Sequence, residues 1–223
     1  MSNFQSILDF WFGKPDEPNY GRSRQEWFVK DKVFDEEVRS RFLETYQKAA
    51  SGELNSWQES PLSCLALIIA IDQFPRNMFR NTPQAFASDD LALLAAKYAV
   101  DRNFDKELLP VQRWFIYCPF EHSENLQDQQ KSVQLFTTLK DNPDSESAID
   151  YAYRHLKVIE RFGRFPHRNK ILARQNTPEE EEFLKQPGSS FGRQLSKTNR
   201  STLQLPIACA FLLQNSSRIE NSC

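Results

Sequence analysis

The chain has 223 residues, of which 39% are apolar and 26% charged, with a net charge of −2. That length is enough for one well-buried domain, and the charge balance gives no global field drawing it to nucleic acid or anionic lipid. No run reaches the roughly 18 apolar residues that a membrane span needs. The opening Met1-Ser2-Asn3-Phe4 lacks the basic segment of a secretory signal. Cys64, Cys118, Cys209 and Cys223 follow neither disulfide-framework nor metal-ligand spacing. These features point to a cytoplasmic chain with reduced thiols and no membrane or nucleic-acid partner.

The pattern is helical nearly throughout, with six glycines and no alternating valine-rich strand. Ile7-Leu8-Asp9-Phe10-Trp11-Phe12-Gly13 reads as a short aromatic helix packed into the core, and Trp27-Phe28 reads likewise. In 31–51, Phe34, Val38, Phe42 and Tyr46 recur every fourth residue, and Gly52 is a natural stop. Ser60-Pro61 opens a helix whose body, Leu62 to Ile71, is apolar on nearly all sides. Ser88 is placed to cap the next helix, with Asp89 and Asp90 in its first turn. Ser123 is placed to cap a helix from about 124 to 140. A further helix over about 146–162 shows Ile149, Ala152, Leu156 and Ile159 on one side and ends at Gly163. Thr177-Pro178-Glu179-Glu180 is a helix start with a capping-box glutamate. Short connections make neighbours antiparallel, so the expected class is all-α, built of stacked antiparallel helical hairpins. No repeat of 30–45 residues is visible. The expected domain is 1–191. The segment 192–223, polar with a single acid at Glu220, reads as a poorly ordered tail.

The three histidines fall in two charged, aromatic stretches: Pro119-Phe120-Glu121-His122-Ser123-Glu124, and His155 through Arg161-Phe162-Gly163-Arg164-Phe165-Pro166-His167-Arg168-Asn169. An internal echo accompanies them. Phe74-Pro75-Arg76-Asn77 followed by Arg80 matches Phe165-Pro166-His167-Arg168-Asn169 followed by Arg174. Proline biases its predecessor away from helix and fits a first turn, so both segments read as helix, sharp turn, short helix. If the turn after Pro75 is helical, Arg76 and Arg80 share a face. Guanidinium groups near fresh helix starts suit a carboxylate or phosphate.

Two readings of this cluster stand side by side. In one, Asp72, Glu121 and Glu124 neutralise the arginines in an ion-pair network between hairpins. In the other, Arg76, Arg80, Arg164 and Arg168 bind an anion, Asp72 and Glu124 orient them, and His167 sits neutral among them. His122 with Glu121 would then be the acid–base pair. His155, on the apolar face of its helix, reads as a hydrogen-bonded core residue. Cys118, flanked by Trp114-Phe115-Ile116-Tyr117, reads as a buried, inert thiol. No HExxH, glycine-rich phosphate loop or GxSxG is present, so no metal site or cofactor is expected.

The blocks 7–13, 72–77, 119–124 and 161–169, in this order, resemble the signatures of the mainly bacterial domain-of-unknown-function family 924. The likeness runs from about residue 4 to Phe191. It implies an all-α, tetratricopeptide-like fold and brings no established activity or cofactor. The functional expectation is therefore a pocket for a small anionic metabolite or peptide carboxylate. The alternatives are a helical-hairpin module that binds a protein partner in a groove, and a hydrolase using the His122/Glu121 pair.

Overall fold

The computed structural model describes residues 3–189; the expected tail at 192–223 lies outside them. Helix α1 (Phe4–Phe12) starts where the Asn3 side chain accepts the Gln5 amide at 2.9 Å. It ends at Gly13, whose φ of 80° is in the left-handed region that favours glycine. Its face of Ile7, Leu8, Trp11 and Phe12 is buried. Trp11, 1% exposed, meets the rings of Phe115, Phe74, Phe34 and Trp27 at centroid distances of 5.6, 5.7, 5.9 and 6.1 Å. One side chain thus joins five segments, and truncating it leaves a hole that none of them can close alone. Trp11→Ala is expected to cost about 3–5 kcal/mol, measurable as a lower urea midpoint.

Helix α2 (Lys32–Ala50) is capped by Asp31, and the chain turns at Gly52 with φ 85°, as the pattern predicts. Helix α3 (Pro61–Ile68) is the expected core helix, with Cys64, Leu65, Ala66, Leu67 and Ile68 at most 1% exposed. The run then departs from the sequence reading. In place of a sharp turn before Pro75, it continues through a π turn over Ile69–Gln73 into α4 (Phe74–Met78), with the Phe74 amide reaching back five residues to Ile69 O. Pro75 has no N–H for the carbonyl four residues earlier, that of Ile71. The Ser88 hydroxyl donates to it instead, at 2.6 Å. Ser88 therefore makes no side-chain cap on α5 (Asp89–Asp101); its hydroxyl ties the start of α5 to the π turn. The next carbonyl, Asp72 O, accepts Arg76 Nη1 at 2.6 Å.

Helix α6 (Pro110–His122) packs against α3, α5 and α8, and a three-residue link folds α7 (Leu126–Thr137) back on it. The local pattern puts the α7 cap at Ser123, directly after His122. In the structure His122 is the last residue of α6, and Asn125 caps α7 by accepting from Gln127 and Asp128. The Ser123 hydroxyl donates to the Asp128 carboxylate at 2.9 Å. Helix α8 (Glu146–Phe162) packs on α7 and stops at Gly163 in the left-handed region. A 3₁₀ turn over Pro166–Arg168 follows. Helix α9 (Pro178–Leu184) then opens with the expected Thr177/Glu180 capping box. The described chain is all-α, with one main apolar core and a satellite of Val158, Ile159 and Phe165 under the 165–184 segment. No helix among the described residues is long and apolar enough to cross a membrane.

Candidate functional site

A cavity of about 380 Å³ is bounded by residues 27–30, α4, the 85–86 turn, the C-terminal half of α6, one face of α8 and the 167–171 segment. Each of these elements brings a different chemistry.

The cationic wall comes from the two echo segments. Arg76 is held at the end of the π turn, with Nη1 3.2 Å from Asp72 Oδ1 and Nη2 2.9 Å from Asp89 Oδ1. Arg168, 7% exposed, lies over the rings of Phe86 and Phe165, each 4.7 Å from its guanidinium carbon. Its Nη2 donates to the His122 carbonyl at 3.1 Å and its Nη1 lies 3.3 Å from Asp89 Oδ2. The arginines of the two Phe-Pro segments thus share one carboxylate, Asp89. Burial, then the neighbouring Arg76 charge, lowers the Arg168 pKa to about 10, so it stays a cation at neutral pH. Arg80 forks onto Asp35 of α2, which also accepts from Asn77 at 2.8 Å. Lys30 completes the cations at the cavity wall. The carboxylates that balance them, Asp35, Asp72 and Asp89, stand behind the arginines and do not line it.

The proton-exchanging wall comes from α6 and α8. Asp72 is fully buried and accepts Gln73 Nε2 at 2.6 Å, with His122 Nδ1 at 2.8 Å. Burial raises its pKa, but Arg76 and His122 outweigh that and hold it at about 2. With Asp72 ionised, the His122 proton sits on Nδ1 and Nε2 is the basic nitrogen. Burial, then the Arg76 charge, keeps the ring neutral. Glu121, 7% exposed, is pushed up to about 8, first by burial and then by the Asp72 charge. His155 Nδ1 lies 3.3 Å from Glu121 Oε1 and donates to the Tyr151 carbonyl at 2.8 Å, and burial drives its pKa well down. Both groups move toward neutrality, so this is a carboxylic acid beside a neutral imidazole rather than an ion pair. His167 falls to about 3 through burial and Arg168. Burial keeps Cys118 a thiol.

The sequence-named residues divide in two. Arg76, Arg80, Glu121, His122, His167 and Arg168 line the cavity, with Asp72 directly behind. Arg164 and Glu124 do not line it. Arg164 forks onto Glu180 at 2.7 and 2.8 Å and reaches Gln175 O. Glu124 takes Arg174 at 2.6 and 2.9 Å and the Phe165 amide at 2.8 Å. Those bonds hold the 165–180 segment in place. The sequence reading missed Asp89, which looked only like a favourable first-turn charge. It also missed Asp35, Lys30, and the place of His155 and Cys118 at the cavity. The sequence around Asp89, Asp35 and Lys30 carries no signal for that role, whereas His155 and Cys118 border the charged, aromatic stretches. Among the described residues, no group of three or more His, Cys, Asp or Glu side chains is arranged to hold a metal ion.

The described residues form an all-helical fold with a charged cavity between its α4, α6 and α8 segments. The chain belongs to the family described as "bacterial protein of unknown function (DUF924)", whose model matches residues 7–188. It is similar to the solved structure of the protein of unknown function ATU0120 from Agrobacterium tumefaciens, with 39% identity and a TM-score of 0.71 over 82% of this chain and 96% of that one. No curated protein matches it.

Proposed function

We propose that the cavity binds a small organic anion at the Arg76–Arg168 pair, with Arg80 and Lys30 at its rim. The observation that carries this reading is the arrangement of charge. Cations line the wall while their carboxylate partners stand behind it. Among the described residues, Arg168 Nε is buried without a hydrogen-bond partner, while Arg76 Nη2 lies 2.9 Å from Asp89 Oδ1. Buried guanidinium N–H groups are costly to leave unmatched, and an oxyanion supplies the match. The same head-group chemistry admits a peptide carboxylate. Thermal unfolding against formate, succinate, citrate and inorganic phosphate tests the proposal. An anion at 100 times its Kd should stabilise by roughly 2.7 kcal/mol, a rise of several degrees that Arg80→Gln and Lys30→Ala reduce. If no anion moves the midpoint, the arginines serve the fold alone.

A second reading is favoured by the 2.8 Å Asp72–His122 bond. A carboxylate that fixes the tautomer of a cavity histidine is the arrangement of an oriented general base, with protonated Glu121 as the matching acid. Imidazole ¹⁵N resonances at pH 7 test it: Nδ1 protonated and Nε2 bare supports the base, and the reverse tautomer removes it.

A further inference from the structure

The walls of this cavity specify more than an anion. We infer that its ligand is an aromatic monocarboxylate, its single charge held among Lys30, Arg76 and Arg168 and its ring against Trp27, Phe28 and Tyr151. This rests on the anion reading above and narrows it.

Charge gives the valence. Four cations, Lys30, Arg76, Arg80 and Arg168, line the cavity, and three carboxylates, Asp35, Asp72 and Asp89, are paired with the arginines. Glu121 is the other acid on the wall, and burial keeps it protonated at neutral pH. The three arginines are thereby balanced, and the positive charge left over is that of Lys30, exposed at the cavity rim beside Trp27 and Phe28. A monoanion cancels it, whereas a phosphate dianion or a tricarboxylate would bring one or two buried negative charges in excess, at a large desolvation cost.

Shape and polarity give the body. The segment carrying Trp27 and Phe28 lines the cavity from a part of the chain separate from the arginine-bearing segments, and Tyr151 lines it from α8. Trp27 is held in place: its Nε1 donates to Trp11 O at 3.0 Å, and its ring meets Phe115 at 4.9 Å and Phe28 at 6.1 Å. Phe28 remains 36% exposed on a wall of the cavity. Pre-positioned rings of this kind bind flat apolar groups with little ordering cost. The volume of about 380 Å³ equals roughly a dozen water molecules, the scale of a one- or two-ring acid.

Titration calorimetry at pH 7 on the full chain tests the inference with 3-phenylpropionate, its neutral amide, acetate, inorganic phosphate and citrate. We expect 3-phenylpropionate to bind at least tenfold tighter than acetate, phosphate or citrate, and its amide at least tenfold weaker than the acid. Phe28→Ala and Trp27→Ala should weaken 3-phenylpropionate at least fivefold. Phe28 is the more exposed of the two, so its variant carries the test if Trp27→Ala does not fold. Phosphate or citrate binding tighter than 3-phenylpropionate would overturn the aromatic monoanion and leave the anion reading standing. Equal binding of acid and amide, or no binding by any of the five, would overturn both.

Discussion

Asp72→Ala is expected to lower the unfolding free energy by about 3–5 kcal/mol, the range for removing one partner of a buried charge pair. The residue is fully buried and ionised, and it holds Gln73, Arg76 and His122 at once. Its loss leaves the Arg76 charge leaning on Asp89 alone and frees the His122 ring to change tautomer. Urea unfolding measures the first effect. Asp72→Asn separates charge from shape: it keeps the side-chain volume and a hydrogen-bond acceptor, so a cost close to that of alanine assigns the stabilisation to charge. A wild-type midpoint in Asp72→Ala would show that the Asp72–Arg76–His122 cluster contributes nothing net to folding.

Glu121→Gln is expected to make the protein more stable above neutrality, by an amount that grows with pH. In the folded chain the carboxyl keeps its proton up to about pH 8, against an ordinary value of 4.5. Between those values the folded state holds a proton that the unfolded chain releases, so stability falls as pH rises, by about 1.4 kcal/mol per unit at most. Glutamine has no proton to hold, so the variant lacks that decline and gains several kcal/mol relative to the wild type by pH 8. The histidines act in the opposite sense. His122, His155 and His167 are all held below 6.5, so the unfolded chain takes up protons first and stability falls as pH drops through that value. Below about 6.5 three histidines outweigh one glutamate, and above it the glutamate dominates. The wild-type stability maximum should therefore lie near neutrality, and that of Glu121→Gln should broaden to the alkaline side. Chemical denaturation at half-unit intervals from pH 5 to 8.5 checks both; parallel curves would show that Glu121 is ionised in the fold.

What the sequence conveyed depended on whether the signal was local. The core helix Pro61–Ile68, the stop at Gly163 and the Thr177/Glu180 box each follow from residues within one or two turns of each other, and each is found. The π turn was not legible, because its stabilising bond comes from Ser88, 17 residues on, and the same serine looked locally like a helix cap. His122 failed similarly. It stands just before the expected Ser123 cap with acids on both sides, yet α6 runs through Pro119 to His122, and the Asp72 and Arg168 bonds hold its end. At the site, Arg76, His122 and Arg168 stood out because each lies in a dense motif. Asp89 and Lys30 lie in ordinary surroundings, and only the folded chain brings them to the cavity. Arg164 and Glu124 share motifs with cavity residues but turn to Glu180 and Arg174.

The π turn also fixes a reading frame for side chains. Its five-residue hydrogen bond accommodates one residue more than a regular turn, so every position from Phe74 onward is rotated by about 100° from where an unbroken α-helix would place it. Arg80 reaches Asp35 of α2 from the orientation that this rotation sets, while Asp72 and Arg76 pair at the ordinary i, i+4 spacing. Deleting the one extra residue between 69 and 73 would give a regular helix with Arg76 and Arg80 still in place, whereas inserting another would turn the guanidinium groups about 100° away from the cavity. The segment is therefore constrained against added length more than in its chemistry: Ile69 and Ile71 admit other apolar side chains, whereas a one-residue insertion takes apart the cationic wall without altering any of the residues that form it.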